Sequence, residues 1–115
     1  MNGKSIYRLC EKNDWDHALT LGVYRGTDLD IQDGYIHLSA AEQVMETAKI
    51  YFCGVEHLLL LRINANELGD DLRWEKSRNG EIFPHFYGPL KTEFIRTITE
   101  LKLDDNGIHI FPTLE

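Results

Sequence analysis

The run "HLLLLRI" (His57–Ile63) limits the possible folds more than any other stretch. Four leucines in succession leave no polar position for a solvent-facing side. The run is far shorter than the ~20 residues of a membrane span. It predicts a central strand buried on both faces.

The other elements are read around it. "SIYRLC" (Ser5–Cys10) is a first strand. "NDWDHALTLG" is a short helix, with Asn13 or Asp14 as its cap, Trp15, Ala18 and Leu19 on one face, and Gly22 as its stop. "VYRGTDLDIQDG" is a polar loop closing in an Asp33-Gly34 turn. In "YIHLS" the side chains alternate, so Ile36 and Leu38 point one way and Tyr35, His37 and Ser39 the other. Ser39 and Glu42 have capping-box spacing. Ala41, Val44, Met45, Ala48 and Phe52 then form a helical stripe that Gly54 ends.

After the leucine run, "NANELG" is a turn or a single helical turn. "LRWEK" is a strand with Leu72 and Trp74 on one face and Arg73 and Glu75 on the other. It turns back through Asn79-Gly80 into "IFPHFYGPL". Pro84 cannot donate to a ladder, which predicts an edge strand or a bulge. "FIRTITELKL" is a strand that Asn106-Gly107 turns into "IHIF". Strand and helix pairs followed by antiparallel strands predict one α+β domain over residues 1–115, with a mixed, split sheet and two main helices.

Composition narrows the function classes. The chain has 115 residues, 43% of them hydrophobic and 27% charged, as in an ordinary globular protein. A domain of this length buries roughly two-thirds of its unfolded surface and needs no disulfide or metal to fold. The net charge of −7 argues against a broad nucleic-acid surface. It leaves room for one small anionic ligand held by local arginines. No apolar run is long enough for a membrane span, and "MNGKSIYRLC" lacks an apolar signal core, so a cytoplasmic location is expected. Cys10 and Cys53 form no CxxC and are expected to be buried thiols. Oligomeric state has no sequence signal here.

Three stretches carry candidate chemistry. In the first, Ser39 at a helix start offers free backbone N–H groups to an anion, with His37 one strand step back on the same face and Tyr35 beside it. The plain alternative is a satisfied histidine and a helix cap. In the second, "RWE", Glu75 shares a face with Arg73; the pair either faces the cleft or is a solvated surface pair. In the third, "FPHFYGPL", Phe83, His85 and Tyr87 form an aromatic stripe that suits a flat ring or simply packs an edge. The five histidines show no compact metal-ligand spacing, so no metal site is expected.

"DGYIHLSAAEQV", "LRWE" and "FPHFYGPL", in this order, resemble a family of small bacterial proteins catalogued as a domain of unknown function (family nine-five-two). The resemblance runs from Ile6 to about Ile98. It implies a fold like that of the ADP-ribosyltransferases and related NAD-using enzymes. By position, Arg8 in "YRL" matches their ribose- and phosphate-holding residue. His37 and Ser39 match their nicotinamide-pocket strand, and Glu75 matches their catalytic carboxylate. Two departures stand out. The Ser-Thr-Ser run of the arginine-modifying enzymes reads Leu38-Ser39-Ala40, and Arg73 stands two residues before Glu75. An arginine there repels a guanidinium acceptor.

The resemblance implies binding of, or action on, NAD or a related phosphorylated ribonucleotide, with NAD as substrate and no other cofactor. Glu75 and His37 are the catalytic candidates. Arg8, Tyr35, His37, Ser39, His85 and Tyr87 are the binding candidates. The alternative is a non-catalytic small-ligand or partner-binding module on the same scaffold. Either reading expects Arg8, His37, Ser39 and His85 around one cleft with Glu75 at its rim. Strict alternation places Arg8 on the core face with Ile6, so a twist or bulge is expected to bring it into the cleft.

Overall fold

The computed structural model describes residues 4–114. The leucine run forms β5 (Leu58–Asn64), the middle strand of a five-stranded antiparallel sheet. On one side β5 pairs with β1 (Ser5–Glu11), from Ser5 opposite Asn64 to Glu11 opposite Leu58. On the other it pairs with β9 (Ile95–Leu103). The short β4 (Ser39–Ala40) and β10 (His109–Ile110) form the two edges.

Alternation along β5 sends its leucines into two separate cores. Leu59, Leu61 and Ile63 pack with Trp15 and Ala18 of α1 (Lys12–Leu21) and with Tyr24, Ile36, Phe86 and Leu90. Leu58 and Leu60 pack with Tyr7, Leu9 and Leu101 under Val44 and Ala48 of α3 (Ala41–Tyr51). Each fully buried leucine contributes about 1.5–3 kcal/mol relative to an exposed one.

A second, three-stranded sheet has the order β3 (Ile36–His37), β7 (Ile82–Phe86), β6 (Leu72–Lys76). A two-stranded ribbon joins β2 (Val23–Tyr24) to β8 (Leu90–Lys91). The split lies at Leu38. Ile36 and His37 pair with Phe86 and His85, whereas Ser39 and Ala40 pair with Tyr7 and Ile6. One short segment therefore passes from the small sheet to the large one. Its partner register stops at Tyr7, so the edge of β1 from Arg8 onward is not covered by β4.

The split α+β architecture and its two longer helices follow the sequence pattern, and several details differ. All strand pairs among the described residues are antiparallel, so the sheet is not mixed. The expected polar loop contains β2 and a short α2 (Asp28–Asp33). Leu29 and Ile31 on α2 are exposed, so no apolar stripe marks it. Leu19 and Met45, expected on buried helix faces, are also exposed, and so is Cys53.

Pro84 lies in the central strand of the small sheet rather than at an edge. It is tolerated because β3 ends at His37. There Leu38 N–H donates to the Pro84 carbonyl at 3.1 Å, and regular β3 pairing stops. Ser39 does not cap α3, because it is still paired in β4. Ala40 holds the cap position, and its N–H donates to Gln43 Oε1 at 2.9 Å. No helix among the described residues is long and apolar enough to cross a membrane.

Leu61 is fully buried at the centre of the larger core, whereas Ile98, opposite it on β9, is half exposed. Leu61→Ala is expected to cost about 2–5 kcal/mol and Ile98→Ala well under half of that. Urea denaturation of both variants checks this. Equal losses would mean that the two-faced burial of β5 is wrong.

Candidate functional site

The site is built around a buried carboxylate that the sequence analysis did not single out. Asp30 lies on α2 and is 2% exposed. Its Oδ1 accepts from Arg8 Nη1 at 3.0 Å, His37 N–H at 2.9 Å and His37 Nδ1 at 2.7 Å. Its Oδ2 accepts from Arg8 Nη2 at 2.7 Å, Thr27 N–H at 2.7 Å and the Thr27 hydroxyl at 3.0 Å. Burial alone would raise this carboxyl. The His37 hydrogen bond and the Arg8 guanidinium overcome that and hold it well below the usual carboxylate range. Gly26 makes room for the arrangement: a Cβ there would sit 2.6 Å from Asp30 Cβ.

Arg8 stays on the Ile6 side of β1, and no bulge interrupts its pairing with β5. Its remaining bonds go to the His37 carbonyl at 2.8 Å and the Tyr24 hydroxyl at 2.9 Å. The guanidinium fork is therefore filled from within the protein. Only Nε has no partner. His37 lies between two carboxylates, with Nδ1 on Asp30 and Nε2 2.9 Å from Asp33 Oδ2. Carboxylates only accept, so a neutral ring donates to one of them and a doubly protonated ring to both.

Across the β3–β7 ladder, His37 faces His85. His85 is 2% exposed, and its Nδ1 donates to Glu75 Oε1 at 2.8 Å. Tyr87 donates its hydroxyl to the same oxygen at 2.8 Å. Tyr35 stacks on the His85 ring with centroids 4.1 Å apart. The hydrogen bonds from His85 and Tyr87 hold the Glu75 carboxyl below its ordinary value. Arg73 lies over the Tyr87 ring, 4.7 Å from its centroid.

A cavity of about 220 Å³ opens where the two sheets diverge. Arg8, His37, Ser39 and His85 all line it. Glu75, Tyr35 and Tyr87 do not. They form a layer around His85, with Glu75 reaching the cavity only through that ring. Leu29, Tyr51, Phe52 and Phe83 give the cavity an apolar, aromatic wall. Ser39 presents its hydroxyl to Thr47 Oγ1 at 3.3 Å.

The cavity also brings in Thr47 and Arg78, which the sequence analysis did not select. Arg78 stands at the tip of the β6–β7 hairpin, beside the left-handed Asn79 and Gly80. Nothing in the local sequence distinguishes it from a surface hairpin arginine. Asp30 did leave a signal, because Thr27 and Asp30 have N-cap spacing in "TDLD".

Two other chemistries find little support in the geometry. Burial pushes the Cys10 thiol up to about 11, which disfavours a thiolate nucleophile. Among the described residues, no group of three or more His, Cys, Asp or Glu is placed to hold a metal ion.

Comparison with known proteins identifies relatives. A family described as "Protein of unknown function (DUF952)" matches residues 9–98. The crystal structure of protein CC0527 from Caulobacter crescentus is 42% identical, with a TM-score of 0.89 over 92% of this chain and 93% of that one. The solution structure of the same protein is 43% identical, with a TM-score of 0.82 over 90% of each chain. No curated protein matches.

Asp30→Asn removes the charge that compensates buried Arg8 and is expected to cost about 3–5 kcal/mol. The native carboxyl titrates below its unfolded value, so its contribution is complete above about pH 4 and is lost as pH falls further. The gap between thermal melts of wild type and variant should therefore stay constant from pH 7 to about pH 4 and narrow from there to pH 2. Parallel curves would rule out Asp30 as the acid-sensitive group.

Proposed function

We propose, from the premise that this chain belongs to the DUF952 family of proteins of unknown function, that the cavity at the sheet split binds a small anionic molecule carrying a flat ring. NAD or a related phosphorylated ribonucleotide is the class that fits. The observation that carries this reading is the meeting of Ser39, His85 and Arg78 in one aromatic-walled cavity. An apolar wall with a few convergent polar groups is the usual composition of a small-molecule site. The cavity is smaller than the roughly 300–1,000 Å³ of drug-sized sites, so it encloses only part of such a ligand. The remainder extends past Leu29 and Tyr51 at the surface.

In this reading Ser39 and His85 touch the ligand. Arg8 and His37 act as positioning residues through Asp30, because their polar atoms are already engaged there. Tyr35, Tyr87 and Glu75 hold the His85 ring.

A second reading extends binding to turnover on an ADP-ribosyltransferase-like scaffold. The Glu75–His85 pair favours it, since a carboxylate at Nδ1 fixes the ring for proton transfer at Nε2. Cleavage at the nicotinamide ribose passes through an oxocarbenium-like state that a carboxylate stabilises. Asp30 is saturated and Glu75 lies behind His85, so binding without turnover is the primary reading.

Thermal-shift titration with NAD, AMP and nicotinamide mononucleotide tests it. A ligand at a hundred times its Kd adds about 2.7 kcal/mol, an increase of several degrees in a domain of this size. His85→Ala should abolish the shift. The absence of any shift at saturating nucleotide would reject the reading. Chromatography for free nicotinamide separates the two versions, because Glu75→Gln lowers release only if turnover occurs.

A further inference from the structure

We infer that Arg78, with the hydroxyls of Ser39 and Ser77, forms a phosphate subsite in the cavity. The inference rests on the small-anion reading above and specifies which group holds the anion. It differs from the expectation drawn from the sequence, in which Arg8 takes that role.

The basic side chains around the cavity are not equally available. Arg8 is 2.7 Å from Asp30 Oδ2, and both side chains are almost fully buried. His37 is held between Asp30 and Asp33. Arg78 has looser partners. Its Nη1 donates to Thr47 Oγ1 at 3.2 Å, and its Nη2 reaches Glu46 Oε1 only at 3.4 Å. The Glu46 side chain is more than half exposed, so solvent screens that pair. Arg78 Nε is buried and has no partner. A buried N–H in this state bears its desolvation cost uncompensated until an acceptor arrives.

The guanidinium is also held in place. Its carbon lies 5.0 Å from the Phe83 ring centroid and 5.8 Å from that of Tyr51. The hairpin tip beneath it is closed by Ser77 N–H to the Glu81 carbonyl at 2.8 Å and Glu81 N–H to the Arg78 carbonyl at 3.1 Å. Gln43 ties the hairpin to α3 by donating to the Ile82 carbonyl at 2.7 Å. A planar cation fixed between two rings loses little freedom when it binds an oxyanion.

The Ser39 and Ser77 hydroxyls complete a donor set, and Thr47 orients Arg78. Thr47 donates to the Gln43 carbonyl at 3.1 Å and accepts from Arg78, which leaves Ser39 a long 3.3 Å contact that a better acceptor can replace. Ser77 lines the same cavity beside Arg78. A guanidinium ringed by hydroxyls suits a group with several acceptor oxygens, as in a phosphate monoester.

The test compares nicotinamide mononucleotide with nicotinamide riboside, which lacks the phosphate, by two-dimensional NMR titration of the full chain. Wild type should bind the mononucleotide roughly 10–100-fold more tightly. Arg78→Gln should bring the two affinities together, chiefly by weakening that of the mononucleotide. Arg78→Lys keeps the charge without the fork, should retain only part of the preference, and serves as the readout if the glutamine variant does not fold. Equal wild-type affinities, or a preference that survives Arg78→Gln, would overturn the subsite while leaving the ring-binding cavity intact.

If neither compound binds, the ligand class proposed above fails. Inorganic pyrophosphate then decides the subsite by itself. Shifts at Ser39, Thr47 and Arg78 that disappear in Arg78→Gln support it, and their absence refutes it.

Discussion

The fold turns on the buried pairing of Arg8 with Asp30. Desolvating two charges costs several kcal/mol per ion, and attraction alone seldom recovers that without further hydrogen bonds. Here the further bonds are present. Each carboxylate oxygen accepts three, Oδ1 from Arg8 and His37 and Oδ2 from Arg8 and Thr27. They come from the first strand, from the residue before α2 and from β3. The pair therefore fixes where three separated segments meet, and that meeting point is where the two sheets part.

This arrangement decides which side chains remain for a ligand. Arg8 and His37 spend their polar atoms on the junction, and the junction in turn holds the cavity wall in place. His85 and Ser39 come from the neighbouring strands with capacity left. With a net charge of −7, the chain as a whole repels anions. Any anion site must then be local and sheltered, as a guanidinium packed over Tyr51 and Phe83 is.

The features readable in sequence were those with a period. The leucine run placed the central strand, and the alternation in "YIHLS" put His37 and Ser39 on one side, opposite Ile36 and Leu38. The Asn79-Gly80 turn marked a hairpin. Short elements held by side-chain bonds were not readable. α2 has six residues, and its two apolar side chains face solvent, so its stability comes from Thr27, Arg8 and His37 rather than from an apolar stripe. The position of Pro84 is not legible in sequence, because the end of β3 is a fact of pairing between distant residues. Arg78 is not legible for a similar reason: its neighbours Tyr51, Thr47 and Phe83 are brought to it by tertiary packing.

The geometry also orders the polarity of the cavity. Glu75 can only accept, so the proton between it and His85 resides on Nδ1 when the ring is neutral. Nε2 is then an acceptor, and under the proposed reading a ligand group meeting it would be a donor such as a ribose hydroxyl or an amide. At Arg78 the requirement is reversed, because guanidinium donates and cannot accept. The same cavity has an aromatic and aliphatic wall that includes Phe83, Phe52 and Leu9. A ligand matching all three regions would combine an acidic group, an apolar ring face and a hydrogen-bond donor. Phosphorylated ribonucleotides combine these features. A simple dicarboxylate lacks the donor, and a neutral aromatic lacks the anion.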